Sequence, residues 1–369
     1  MWKYYQPVNV IFGEGELKNL AKYMAEYGLS KAFVVADAFQ VQAGNVDKLI
    51  KDGSGKVTGY SCDVEPNPTI KNVEAVAEAA KSVGVDCIIA FGGGSAMDCA
   101  KAVAVVLANG CDPSELLSGY QITKALPVIA VPTTAGTGSE VTAGAVLSDK
   151  DKGIKAAIFS PAIFPAMAIV DPELTYTVPA RITAMTGLDV LAHAFDAMSS
   201  VKANDVTDAL AFKAVQLVKE NIERAVENGN DIKARSAMAK ASTIAGLAFS
   251  QTGTTGSHAC SYILTSKYGV PHGEACAFTL DAWLVVNSKA RYEIKEYAKE
   301  LGFTDVQEMA DWFHDLKVKF GMRTKLSEIG INEADLPEVA ETSLASANMT
   351  NNVAQIGLEG VKTIFRSKQ

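Results

Sequence analysis

The sequence predicts an α/β domain followed by an all-helical one, and three observations lead there. Short β-rich runs alternate with helical stretches through the first half; the alternation stops near residue 180; beyond it the chain is built from long Ala-rich amphipathic segments. With 369 residues, 48% of them hydrophobic, the chain is long enough for two cores. The expected division is an α/β domain over 1–180 and a helical domain over 181–369.

The elements follow in order. "KYYQPVNVIF" near the start reads as an edge strand able to pair across a two-fold axis, which leaves a homodimer open. "KAFVVAD" (31–37), "KVTGYSC" (56–62), "VDCIIAFGG" (85–93) and "LPVIAVPTT" (126–134) read as strands. Helical stretches such as "TIKNVEAVAEAAKSVG" separate the later ones, which is the rhythm of a parallel sheet covered by helices. After "IVDPELTYTVPARIT" the β-branched runs nearly vanish. "VTDALAFKAVQLVKENIERAVENG" (206–229) and "EMADWFHDLKVKFG" (308–321) then carry helical periodicity.

Charge and composition exclude several partners. The chain has 34 basic and 42 acidic side chains, a net charge of -8, and no basic block to follow a phosphate backbone or an anionic membrane surface. No window reaches the roughly 18 apolar residues of a membrane span. "MWKYYQPVNVIFGEGEL" lacks the layout of a signal peptide, so the expected address is cytoplasmic. The six cysteines form no CxxC pair and read as small buried hydrophobes.

Two glycine-rich turns stand at strand ends. "FGGGSAMDCAK" (91–101) follows a strand and opens a helix, so its backbone N–H groups can face an anion such as a pyrophosphate. Its spacing is not GxGxxG, and a tight βα connection alone would also explain the glycines. "PTTAGTGSE" (132–140) is a second such turn, and ligands of open α/β sheets sit outside the carboxyl ends of strands. Asp37 closes the first long strand, where a carboxylate can bind a ribose and repel a 2'-phosphate, or simply cap a helix.

In the helical half, three of the chain's four histidines lie in apolar or Gly/Ala-rich surroundings. Asp189 and His193 in "TGLDVLAHAFD" share a helix face at i, i+4, a spacing that lets two side chains grip one ion. His258 in "GTTGSHACSYILT" and His272 in "YGVPHGEACAF" complete a carboxylate-plus-imidazole set suited to Fe2+ or Zn2+. His314 in "DWFHDLK" reads as a partly exposed helix position.

"GGGSAMDCAK", "PTTAGTGSE", "GLDVLAHAFDA" and "SHACSYILTSKYGVPHGEACA", in this order and spacing, resemble the iron-containing (group III) alcohol dehydrogenase family. The resemblance implies a Rossmann-like nucleotide-binding domain, an all-helical domain and a divalent metal held in the cleft between such domains. It places the metal ligands on Asp189, His193, His258 and His272. It places NAD(H) contacts on Asp37, Asn67, Gly92, Gly93, Gly94, Ser95, Asp98, Thr133, Thr134, Ser139, Thr142 and Lys155.

Many members carry a histidine, a candidate proton relay, where this chain has Tyr262, so Tyr262 becomes the candidate catalytic group or a wall of the substrate site. Asp196, where glutamate is common, is expected to orient an imidazole. The block from Ser261 to Leu280 resembles a branch that includes reductases of sulfoacetaldehyde and phosphonoacetaldehyde. For an anionic head, "SQTGTTGSH" (250–258) and "NMTNN" (348–352) offer neutral donors, unless both are ordinary turn and cap segments. An uncharged short alcohol or diol is the other substrate class. The architecture also resembles dehydroquinate synthase, whose metal set is not DxxxH, and a non-catalytic NAD-binding scaffold would predict an eroded metal set.

Overall fold

The computed structural model describes residues 1–369, and two compact units emerge from it. One comprises Gln6–Thr134 and Gly138–Thr177; the other comprises Val178–Gln369 together with Met1–Tyr5 and Ala135–Thr137.

The first unit holds eight strands: β1 (Asn9–Phe12), β2 (Ala32–Ala36), β3 (Val57–Ser61), β4 (Cys87–Gly92), β5 (Val128–Pro132), β6 (Gly144–Asp149), β7 (Ile154–Phe159) and β8 (Met167–Val170). Six form a sheet in the order β1-β8-β5-β4-β2-β3, parallel throughout, while β6 and β7 pair as a separate antiparallel hairpin. Every residue of β2, β4 and β5 is buried, which is why those segments are continuous apolar runs without alternation.

Its helices are α1 (Leu20–Glu26), α2 (Ala38–Gln42), α3 (Asn45–Asp52), α4 (Ile70–Val83) and α5 (Gly94–Asn109). The start of α4 is fixed by a capping box: Thr69 Oγ1 accepts from Asn72 N at 3.1 Å, and Asn72 Oδ1 accepts from Thr69 N at 3.0 Å. Val73, Val76, Ala77 and Ala80 then fall on its buried face at helical spacing.

Chain order creates a switch point. From β2 the chain moves outward to β3, then returns to the opposite side of β2 as β4. Register sets Ala36 beside Phe91, and Gly92 beside Pro132, so the carboxyl ends of three neighbouring strands finish level. Asp37, Gly93 and Thr133 each follow one of those ends.

The second unit is helical: α6 (Ala180–Met198), α7 (Asp205–Glu227), α8 (Ile232–Thr252), α9 (Gly256–Ser266), α10 (His272–Ala290), α11 (Glu293–Glu300), α12 (Val306–Lys319), α13 (Leu326–Ile329), α14 (Leu336–Ala345), α15 (Ala347–Thr350) and α16 (Leu358–Arg366). From Gly187 to Met198 every residue of α6 is buried, so the helix is enclosed on all sides by its neighbours. No helix is long and apolar enough to cross a membrane.

Candidate functional site

In the helical unit, α6, α9 and α10 bring three of the four predicted metal ligands, Asp189, His258 and His272, within 4.8 Å of one another, while His193 lies beside them but outside that set. Asp189 and His193 project one turn apart from α6, with His193 Nδ1 3.9 Å from Asp189 Oδ2. His258 is the third residue of α9; its Nε2 lies 3.8 Å from Asp189 Oδ1, and its ring stacks on that of His193 at 4.7 Å. His272 opens α10, its ring centroid 5.6 Å from that of His258. Gly273 makes this approach possible: a Cβ there would sit 2.3 Å from the carbonyl oxygen of Met185 on α6.

Backbone and carboxylate partners orient the rings. Asp196 accepts from His258 Nδ1 at 2.8 Å, from Thr255 N at 2.7 Å and from Ser257 Oγ at 2.8 Å. His193 Nδ1 is 3.2 Å from the carbonyl oxygen of Gly136, and Phe249 stacks on its other face at 4.2 Å. Each Nδ1 faces an acceptor, so a neutral ring carries its lone pair on Nε2; burial opposes charging of His258, but Cys276 and Asp196 outweigh it and hold that imidazole well above its ordinary range. Asp196 thus takes the orienting position expected of it.

The electrostatics are those of a cation site. Burial pushes the Asp189 carboxyl up to about 7, partly offset by His258. Burial, with His258 and His272 adding to it, pushes the His193 imidazole well below its ordinary range. Burial also opposes ionisation of Asp196, but hydrogen bonds from His258, Thr255 and Ser257 outweigh it and hold that carboxyl below the usual range. Asp189 Oδ1 and His258 Nε2 are buried without a hydrogen-bond partner. An unpartnered polar pair this far from water is costly, and a divalent ion is the group that satisfies a carboxylate and several imidazoles at once.

One residue of this cluster escaped the sequence reading. Donor atoms of Asp189, His258, His272 and Cys276 all lie within 4.8 Å of one another. Treating all six cysteines as inert buried hydrophobes therefore needs correcting: Cys62 and Cys111 are only half-buried, and Cys276, one turn after His272, faces polar atoms. Its signal was the i, i+4 spacing from a histidine.

Tyr262, one turn beyond His258 on α9, is half-buried, and desolvation raises its hydroxyl further above the ordinary value. At neutral pH it is a donor, not a base. Asn348 Nδ2 donates to Tyr262 Oη at 3.0 Å and to Thr254 Oγ1 at 2.9 Å, so the 250–258 and 348–352 segments do meet. Much of that meeting is structural: Asn351 Nδ2 donates to the carbonyls of Thr252 and Thr254, while Asn352 pairs with Asn287 and accepts from Gly256 N. His314 stands apart on α12, partly exposed, 3.4 Å from Asp281.

In the sheet unit, Asp37, Gly92, Gly93, Thr133 and Thr134 stand at or just past the level strand ends, and Gly94 and Ser95 open α5. Asp37 Oδ1 caps α2 by accepting from Gln40 N at 3.1 Å, and its Oδ2 faces Gly92, 3.1 Å from where a Cβ would stand. That Cβ would also meet Ala96 at 2.7 Å, so only glycine fits the turn into α5. Thr133 N donates to the Gly92 carbonyl, and Thr134 Oγ1 lies against Gly93. Asn67 N donates to Ser95 Oγ at 3.2 Å, and Lys155 Nζ to Asn67 Oδ1 at 2.8 Å.

Ser139, Thr142 and Asp98 belong to a tighter network. The buried Lys101 of α5 donates to Ser139 O, Ser139 Oγ, Thr142 Oγ1 and Gly144 O at 2.8 to 3.2 Å. Asp98 accepts from Ser139 Oγ and from Val146 N. Sequence reasoning passed over Lys101, whose signal was one lysine inside the apolar run "CAKAVAVVLA".

The profile of the iron-containing alcohol dehydrogenases matches residues 7–172, and that of the C-terminal part of the Fe-containing alcohol dehydrogenase family matches 183–369. The chain belongs to the iron-containing alcohol dehydrogenase family. Among solved structures, this dehydrogenase is similar to the sulfoacetaldehyde reductase of Bifidobacterium kashiwanohense in complex with NAD+: 40% identity, TM-score 0.96, covering 100% of this chain and 98% of that one. Alcohol dehydrogenase 4 of Schizosaccharomyces pombe is 34% identical over 99% of this chain and 88% of its own length. The 1-propanol dehydrogenase of Salmonella typhimurium is 39% identical over 78% of this chain and 74% of its own.

Proposed function

We propose that this protein is a metal-dependent NAD(H) alcohol dehydrogenase that interconverts a two-carbon aldehyde bearing an anionic head, such as a sulfonate or phosphonate, with its primary alcohol. The observation that carries the chemistry is the pair of orphaned atoms, Asp189 Oδ1 and His258 Nε2, 3.8 Å apart in a buried cluster of further donors. Asp189, His193, His258 and His272 would hold Fe2+ or Zn2+, and the donor types suit either. When bound, the ion supplies Lewis acidity toward a carbonyl oxygen and the dinucleotide supplies or accepts hydride.

The chain's own groups do the rest. Asp196 and the Gly136 carbonyl fix the ring orientation of His258 and His193. The Gly92–Ser95 turn, at the start of α5 and at the switch point of the sheet, receives the pyrophosphate on backbone N–H groups. Asp37 Oδ2 accepts from the adenosine ribose and repels a 2'-phosphate, which selects NAD(H) over NADP(H). Asn67, Asp98, Thr133, Thr134, Ser139, Thr142 and Lys155 shape the remainder of that cradle. Tyr262 keeps its proton and donates a hydrogen bond toward the substrate.

The head group is supported by the likeness to a sulfoacetaldehyde reductase and by Thr254, Tyr262 and Asn348, three neutral donors meeting one turn from His258. An uncharged aldehyde is the second reading, favoured by the likeness to a 1-propanol dehydrogenase and by the lack of charge on those same donors. NADH-dependent turnover of sulfoacetaldehyde, phosphonoacetaldehyde, propanal and lactaldehyde separates them. The charged pair should show the higher kcat/KM; equal or better turnover of propanal and lactaldehyde overturns the anionic head. Full activity after EDTA treatment overturns the metal. The same reading includes a homodimer, for which β1 at the sheet edge offers a strand to pair, and light scattering of the purified protein tests it.

A further inference from the structure

We propose that Cys276 supplies a sulfur donor to the ion held by Asp189, His193, His258 and His272, turning an oxygen-and-nitrogen centre into a mixed oxygen, nitrogen and sulfur one. The inference rests on the metal reading above. Cys276 Sγ lies 3.6 Å from His272 Nε2 and 3.8 Å from its Nδ1, and Cys276 is buried. It belongs to a set of four residues with donor atoms within 4.8 Å of one another, and two of those residues, Asp189 and His258, each carry a buried atom, Oδ1 and Nε2, without a hydrogen-bond partner.

The placement follows from the helix. His272 and Cys276 are i, i+4 on α10, the same spacing that joins Asp189 to His193 on α6, so two helices each present a pair of donors. On coordination the thiol becomes a thiolate: the S–H bond breaks, the sulfur lone pair binds the cation, and the proton leaves to solvent water. No oxidant is involved. A thiolate is softer than a carboxylate or an imidazole, so it biases the centre toward Zn2+ and Fe2+ and away from Mg2+ and Mn2+.

Cobalt(II) loaded into the full-length protein reads the donor directly. Wild type should show visible d–d bands together with a sulfur-to-cobalt charge-transfer band in the near ultraviolet. Cys276→Ser and Cys276→Ala should keep the d–d bands and lose the charge-transfer band, and both should surrender Zn2+ to a chelator at least about tenfold more readily. Alanine is tolerated in a helix interior, so the second variant guards against a folding defect, checked by circular dichroism. Visible bands without a charge-transfer band in wild type, or a charge-transfer band unchanged in both variants, overturns the sulfur ligand while leaving the metal centre standing. A protein that binds no cobalt at all overturns both.

Discussion

At the residue scale, Asp196 carries the sharpest expectation. It is not itself a proposed ligand, yet it accepts from the His258 ring while hydrogen bonds from Thr255 N and Ser257 Oγ hold it in place, which makes it the anchor of that ring. Asp196→Ala should weaken metal binding about 10- to 100-fold, measured as metal content after dialysis against a graded chelator; unchanged retention would mean that His258 holds its orientation unaided. Tyr262→Phe separates two roles. If the hydroxyl only donates a hydrogen bond, kcat/KM falls about tenfold, whereas a proton relay would cost about 100-fold or more. Because burial raises the Tyr262 hydroxyl, the smaller loss is expected. The residues of this cluster were legible in sequence to different degrees. Asp189, His193, His258 and His272 stood out because a lone acid or imidazole among apolar neighbours demands a partner. Cys276 did not, because a thiol among alanines has the size and polarity of its surroundings. Lys101 was silent for another reason: its acceptors are mostly backbone carbonyls and hydroxyls some forty positions away, which no local pattern announces.

At the scale of elements, the strands that could be read were the longer apolar or β-branched runs, whether fully buried like β2, β4 and β5 or half-exposed like β3. β2, β4 and β5 are unbroken apolar runs, but β8 is only "MAIV", and the β6–β7 hairpin spends residues such as Ser148, Asp149 and Lys155 on positions that are not buried. Helix contacts were less legible still, and one of them makes a testable case. Asp281 on α10 is buried between Lys317 of α12 and Lys368 just beyond α16, accepting from Lys317 Nζ at 2.9 Å and also from Lys368 Nζ. Burial alone would raise this carboxyl, but the two ammonium groups win and hold it at about 2, while burial pulls Lys317 down to about 8. Asp281→Asn leaves Lys317 buried beside a neutral amide, and a loss of about 3–5 kcal/mol is expected in urea unfolding at pH 7. The pH dependence has a defined sign. A carboxyl held below its unfolded value stabilises fully above pH 4 and loses that contribution as pH falls through 2, so wild type should lose stability in this window and the variant should lack that component. Parallel curves for the two proteins would remove Asp281 as the clasp joining α10, α12 and the C-terminal segment.

For the molecule as a whole, the two proposed ligands divide cleanly between the two units. Asp189, His193, His258, His272 and Cys276 all lie in the unit formed mainly by Val178–Gln369, whereas every proposed NAD(H) residue from Asp37 to Lys155 lies in the other. A ligand that binds only the folded state adds RT ln(1 + [L]/Kd), about 2.7 kcal/mol at a hundredfold excess over Kd, and it adds it first to the elements that open when the site opens. Hydrogen exchange followed by mass spectrometry therefore has a distinct expectation for each ligand. Zn2+ or Fe2+ should slow exchange in α6, α9 and the start of α10, and EDTA should reverse it. NADH added to EDTA-treated protein should slow exchange where β2, β4 and β5 end and at the start of α5, without restoring α6. A metal that protects the strand ends while leaving α6 and α9 untouched would remove the ligand assignment, because no proposed donor lies there. NADH protection confined to the helical unit would remove the cradle at Gly92–Ser95 in the same way.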